Sequence, residues 1–409
     1  MKILCLTTSF PRFPGDLSGV FVFHSMHTLA KQEKLKITVI APGGAHLAGH
    51  ETWDDLDIFR FTYFWPPSQQ KLAYQFTGLL KTIKNSFVAK INLPFFLLCF
   101  FFRGFLHARK ADVIHAQWIP TGLIGLALAR IFRKPLVITA RGADMRMAKG
   151  KGLGYRLNHW ICSQADAVTS VNETFLDFIP GKIRYLPNGV LQDVFKPLGR
   201  AESVVAIRQC NSPELKRFSF PENVTTFLAI GHFSEVKGFD VLVKAFSQLK
   251  ERHASPVQLV MIGEGTEEKK LRDLIIHKGL GDSVLMLPFQ PQPQLPYWYN
   301  LCDALVIPSR QEGRPNILLE ALSCQRPILS TRLPGVLEVM PPEYSPLTCN
   351  PDDVSALCSL MENFLQNPAP HQTFATMGPE ILRAKELAWD IHAKKLMACY
   401  GEVATSKNL

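Results

Sequence analysis

The sequence lacks paired cysteines, a long apolar leader and any basic run interleaved with aromatics. Its nine cysteines are scattered singly from Cys5 to Cys399 with no CxxC pair, which suits reduced thiols better than a disulfide framework or a zinc site. No structural metal is expected. The start, MKILCLTTSF, has one Lys and four apolar residues before its threonines, so it reads as a first buried strand rather than a signal peptide, and a cytoplasmic location is expected. Nucleic acid is the least supported partner, because the basic residues form no recognisable binding motif. A dinucleotide fingerprint is missing too. GEG at Gly263–Gly265 follows a strand but has no third glycine, and neither half opens with such a motif after its first strand, which disfavours an NAD-dependent oxidoreductase.

Long hydrophobic runs are also scarce. The most apolar stretch, INLPFFLLCFFFRGFLHARK, holds an unbroken run only from Leu93 to Phe102, about half of the roughly 20 residues that a spanning helix needs. Pro94 is expected in the first turn of its helix. A buried core helix is the first reading. Docking on a membrane, aided by Lys81, Lys84, Lys90, Arg103 and Arg109, is the second.

What the chain does have is size and a lopsided charge. Its 409 residues, 47% of them hydrophobic, suffice for two or three domains. The net charge is +10, and residues 1–180 hold all of it, with 21 Lys+Arg against 11 Asp+Glu, whereas residues 181–409 hold 24 of each. A one-sided basic field suggests an anionic partner such as a phospholipid surface or a phosphorylated substrate.

Short β-rich runs such as KILCLTTS, KITVIAP, ADVIHAQW and PLVITA alternate with helical patterns in the first half, and TTFLAI, VQLVMIG, SVLMLPF, ALVIPS and RPILST repeat the rhythm in the second. Strands buried on both faces with helices between them predict parallel sheets, hence two doubly wound, Rossmann-like α/β domains facing a cleft. The expected boundaries are 1–198, 199–385 and a terminal helix 386–409, with LPNGVLQDVFKPLGR as the linker.

Ligands of such sheets bind beyond the carboxyl ends of the strands, where loops lead into helices. SRQEGRPNILLEALS lies in such a place: ALVIPS ends at Ser309, Glu312, Gly313 and Arg314 form the loop, and Pro315 marks the first helical turn. Free amides near Asn316 and Ile317 then suit a phosphate. Glu320, about one turn on, is placed to accept from the vicinal hydroxyls of a ribose, and Glu312 from a second sugar. Glutamates near a helix start are also favoured by the macrodipole alone. A second loop, GHFSEVKGFDVLVKAF, places His232 and Lys237 between a strand and a helix, with Lys237 as a cation for a diphosphate or simply a solvated lysine.

With those loops in view, the chain resembles the family 4 glycosyltransferases of the GT-B fold, retaining enzymes that use nucleotide-sugar donors. The resemblance is carried by FPGDLSGVFVFHSMHTLAK, ADVIHAQWIPTG, VITARGAD, YLPNGVLQDVFKP, GHFSEVKGFDVLVKAF, VMIGEGTEEKKL, LPYWYNLCDALVIPSRQEGRPNILLEAL and ELAWDIHAKKLMACY. It implies that Glu312 holds the donor sugar, Glu320 the ribose, and the backbone at Gly313, Asn316 and Ile317 the diphosphate beside Lys237. Gly19 would let the first domain's backbone approach the phosphates. The C-terminal segment resembles a helix that crosses back to the first domain.

Two positions depart from the family pattern. His232 stands where the family has Arg, and it lacks an arginine's bidentate fork. Arg141, followed by Gly142 and Asp144, stands where the family has His; it is expected either to reach a donor or anionic acceptor or to pair with Asp144. His115, at a strand end, is a candidate for contact with the acceptor or a hydrogen-bonded structural residue. Glu312, Lys237 and Arg141 are thus the catalytic candidates, and His115, Arg141 and Asp144 the acceptor-side ones. The expected activity is a metal-independent, retaining hexosyltransferase acting on a glycan or lipid-linked acceptor in polysaccharide or glycolipid synthesis, peripheral on the inner face of the membrane if the docking reading holds. A nucleotide-binding protein of the same fold without turnover is the alternative. DDLD at Asp54–Asp57 is expected to be a solvated turn.

Overall fold

The computed structural model describes residues 1–16, 18–44, 47, 49–74, 79–141, 152–209 and 215–408. These divide into two compact units, Met1–Gly189 with Trp389–Leu409, and Val190–Ala388. The first boundary therefore falls before Val190 rather than after Leu198, because Val190 donates to Leu387 O at 3.0 Å and bridges to Ala388 inside the second unit. The C-terminal helix begins at Trp389 and belongs to the first unit.

The first unit holds an eight-stranded sheet. In chain order its strands are β1 (Lys2–Leu6), β2 (Lys36–Pro42), β3 (His50–Trp53), β4 (Leu56–Phe61), β5 (Val113–Gln117), β6 (Leu136–Ala140), β7 (Ala167–Ser170) and β8 (Ile183–Tyr185). In space the order is β3-β4-β2-β1-β5-β6-β7-β8, parallel except for the β3–β4 hairpin. DDLD makes the turn of that hairpin and starts β4, with Asp54 at φ 50° and exposed. Along β1, Leu4 and Leu6 face one layer while Ile3 and Cys5 face the other, the period of two that a strand imposes. Helices Phe87–Ala108, Gly122–Phe132 and Leu153–Gln164 cover the first face, and Val20–Glu33 with Trp389–Asn408 cover the second.

The apolar helix differs from expectation. It runs 22 residues, from Phe87 to Ala108, long and apolar enough by length and composition to cross a membrane, and Pro94 lies in its interior rather than its first turn. Ser86 caps it by accepting from Ala89 N at 3.3 Å, which starts the helix two turns ahead of the apolar run.

The second unit carries six parallel strands, β9 (Thr225–Ile230), β10 (Val257–Ile262), β11 (Val284–Leu287), β12 (Ala304–Ile307), β13 (Ile328–Thr331) and β14 (Thr348–Cys349), in the order β11-β10-β9-β12-β13-β14. The order reverses between β9 and β12, which pair through Ala304–Phe227 and Leu305–Leu228. Loops that leave these two strands therefore emerge side by side, at the position where doubly wound sheets bind ligands.

Candidate functional site

The loop after β9 passes through a 3-10 turn, Glu235–Lys237, into helix Phe239–Arg252, and the loop after β12 leads into helix Asn316–Ser323. Pro315 is the N-cap of the latter rather than its first turn, and no side chain caps its amides. The two loops are tied together. Lys237 Nζ donates to Glu312 Oε1, and Ser309 Oγ donates to the same oxygen at 2.9 Å. Arg310 N donates to Val236 O at 2.8 Å, while the Arg310 guanidinium grips Asp240 at 2.9 and 3.0 Å and Asp352 at 2.5 Å.

The far side of the loop is braced as well. Arg314 pairs with Glu338 at 2.9 Å with both side chains largely buried, and Thr331 Oγ1 donates to Ser309 O at 2.6 Å. A Cβ on Gly335 would stand 1.3 Å from Gly313 O, so no larger residue fits without moving the loop. Gly335→Ala is expected to cost about 1–3 kcal/mol through overpacking, read as a lowered denaturant midpoint, and to weaken nucleotide binding by displacing Gly313.

Glu320 sits one turn inside helix Asn316–Ser323. It keeps partial exposure, and its Oε2 accepts from the hydroxyl of fully buried Tyr299 at 2.6 Å. Burial pushes its pKa up to about 7, and the Tyr299 bond pulls the other way. The carboxyl thus sits near the midpoint of its titration at neutral pH. Gly313 is exposed, and Asn316 and Ile317 are half-buried at the helix start.

His232 is in the same loop as Lys237, its ring edge-on to Phe289 at 4.9 Å. Desolvation and the Lys237 ammonium lower its pKa, so at neutral pH its imidazole does not supply the cation that Arg supplies in the family pattern. GEG packs on this loop, with Glu264 O accepting from Phe233 N at 2.9 Å.

In the first unit the candidates diverge. Gly19 is the N-cap of helix Val20–Glu33 at φ 68°, and a Cβ there would lie 2.4 Å from Ser9 O, so backbone packing alone demands glycine. Arg141 is buried, donating Nε to Gln117 and Nη1 to Asn188, each at 2.9 Å, with its guanidinium over Phe21 at 4.6 Å. Both of these hydrogen-bond partners lie within its own unit. Asp144 and Gly142 lie outside the described residues. His115 is a correction: it sits within β5, not at its end, and is fully buried. Its Nδ1 meets Tyr400 Oη at 2.6 Å and its Nε2 meets Thr139 Oγ1 at 2.7 Å. Burial lowers its pKa to about 3, with Arg141 adding to the effect. It is a neutral core residue that joins β5 to the terminal helix and cannot touch an acceptor.

Sequence reasoning missed Tyr299 and Ser309 as partners of Glu320 and Glu312, and Arg310 as a tie between the two loops. Tyr299 lies on helix Leu295–Leu301, and only the pairing of β9 with β12 reveals why these side chains converge.

Two doubly wound parallel units, each with a strand-order reversal, define the class of two-Rossmann-domain α/β proteins. Residues 212–380 match the family model of glycosyl transferases group 1, and residues 19–189 match the glycosyl transferase 4-like domain. The chain belongs to the family 4 glycosyltransferases of the GT-B fold, and it is a glycosyltransferase. It is similar to the D-inositol 3-phosphate glycosyltransferase of Thermobifida fusca, 24% identical over 381 residues, covering 84% of this chain and 83% of that one. Among solved structures it resembles the sucrose-phosphate synthase of Thermosynechococcus elongatus, with a TM-score of 0.78 at 20% identity over 99% of each chain. Anabaena HepE, whose structures hold UDP with glucose, UDP, or UDP-glucose, has a TM-score of 0.72 at 17 to 18% identity over 98% of this chain and 100% of its own. At these identities the two structures speak for the fold.

Proposed function

We propose that the chain is a metal-independent, retaining hexosyltransferase that binds a nucleotide-sugar in the second unit and transfers the sugar to a glycan or lipid-linked acceptor in polysaccharide or glycolipid synthesis. The observation that carries the reading is the convergence of Lys237, Glu312 and the uncapped start of helix Asn316–Ser323 at the reversal of strand order. Lys237 and the first amides of that helix would stabilise the leaving diphosphate, the task a metal performs elsewhere. Glu312 would hold donor-sugar hydroxyls and Glu320 the ribose diol. No carboxylate nucleophile is assigned: same-face attack, with the departing phosphate taking the acceptor proton, needs none. The binding of UDP-glucose by Anabaena HepE supports the donor class.

The test is the thermal unfolding midpoint with UDP, GDP, ADP or NAD, each with and without EDTA. A ligand at 100 times its dissociation constant adds about 2.7 kcal/mol. A rise with one nucleoside diphosphate that EDTA leaves intact is expected, followed by transfer from the matching sugar nucleotide with retained anomeric configuration. A rise confined to NAD, or one that EDTA removes, contradicts the proposal. Binding without transfer or hydrolysis would favour a nucleotide-binding protein, the outcome that neutral His232 makes worth measuring.

A further inference from the structure

Helix Phe87–Ala108 has two apolar faces. Phe96, Phe100, Gly104 and Ala108 are buried against the sheet and helix Gly122–Phe132. On the other side Phe87 (77% exposed), Ile91 (41%), Phe95 (47%), Leu98 (54%), Phe102 (61%) and Leu106 (66%) point to solvent. At about 100° per residue these six fall within one arc of roughly 100°. The stripe continues sideways. Phe105 touches Phe132 of the next helix at 4.9 Å, which exposes Leu123 and Ile131, and beyond it Leu157 and Trp160 are exposed on helix Leu153–Gln164.

The helices of this layer carry charge of one sign. Helices Leu79–Asn85, Phe87–Ala108, Gly122–Phe132 and Leu153–Gln164 contain no Asp or Glu, and residues 71–165 as a whole carry 15 Lys+Arg against two acidic residues. Lys84, Lys90, Arg109 and Arg156 are exposed and make no ion pair among the described residues. The chain's basic excess therefore falls in the segments that carry this exposed apolar face.

We infer that this face docks on an anionic phospholipid bilayer, with helix Phe87–Ala108 lying in the plane of the interface, its outer stripe sunk to the level of the acyl chains and the surrounding cations among the headgroups. Cations at the rim of an apolar face are what an interfacial helix needs, and Trp160, with Arg130 at 5.9 Å from its ring, has the amphipathic character of an interfacial anchor. The helix does not span, despite its length, because its inner face is core: withdrawal would expose Phe96 and Phe100. A second copy of the chain fits poorly, since a two-fold contact sets the same patch against itself and would oppose cation to cation with no carboxylate between. Membrane docking is independent of the donor pocket, so the two fail separately.

The experiment is co-sedimentation of the full chain with vesicles of phosphatidylcholine, or of phosphatidylcholine with phosphatidylglycerol, at low and high salt. Tight binding to the anionic vesicles, weakened by salt, is expected. Lys84→Gln with Lys90→Gln should weaken it by about fivefold per cation, and Phe95→Ser with Phe102→Ser by at least about tenfold. Both pairs are exposed, and an unchanged thermal midpoint would confirm an intact fold. Fluorescence of a Phe102→Trp variant should be quenched by lipids brominated on the acyl chain. Binding indifferent to the Phe pair, absence of that quenching, or a dimer that the Phe pair dissolves without any vesicle binding would each overturn the inference.

Discussion

Lys237→Ala is expected to lower kcat by about 10²- to 10³-fold, the cost of removing one preorganised charge from a site where negative charge develops. The leaving diphosphate gains charge as the glycosidic bond breaks, and Lys237 is a cation that the second unit holds against Glu312 between its two switch-point loops. Its side chain is partly exposed and its partner Glu312 keeps the Ser309 hydroxyl at 2.9 Å, so the fold should lose no more than about 1 kcal/mol. Glu312→Gln separates the roles. It keeps a polar group for Ser309 but no charge for Lys237, and should raise the donor KM together with lowering kcat if Glu312 holds the donor sugar. Steady-state kinetics with the donor identified by thermal shift, beside chemical denaturation of each variant, check both. A drop in kcat that matches the fraction unfolded would remove Lys237 from the reaction.

Much of this site was legible because its information is local. Lys237, Glu312 and Glu320 each stand in a segment that couples a buried strand to a helix start, so motif and position agree before any contact is known. What could not be read is pairing over distance. Tyr400 lies 285 positions from His115, and nothing in ADVIHAQW distinguishes a histidine that ends a strand from one packed under a terminal helix. Arg141 likewise finds Asn188 47 positions on, a partner that VITARGAD does not announce. The apolar helix is longer than its apolar run because the Ser86 cap, not hydrophobicity, sets its start, which leaves Pro94 in the interior. The domain boundary slipped because Val190 belongs with Ala388, a bridge invisible along the chain.

Donor affinity should fall as pH drops through about 7, because Glu320, with a free-protein pKa of about 7, accepts from two ribose hydroxyls only as a carboxylate. Below that pH the donor KM is expected to rise about tenfold per unit, since each pKa unit is worth about 1.4 kcal/mol. Stability runs the opposite way. The folded pKa lies above the ordinary carboxyl value of 4.5, so the native state binds more protons than the unfolded chain between about 4.5 and 7, and stability declines as pH rises across that window, by roughly 3 kcal/mol at most. Glu320→Gln should flatten both profiles. Tyr299→Phe should move the binding midpoint upward, because the hydroxyl donating to Glu320 at 2.6 Å holds the pKa down against burial. A purely structural Tyr299 would lower stability and leave that midpoint unmoved. Isothermal titration of the nucleoside diphosphate across this pH range, on wild type and both variants, distinguishes the two: an unshifted midpoint in Tyr299→Phe, or a pH profile that survives in Glu320→Gln, would take Glu320 out of ribose recognition.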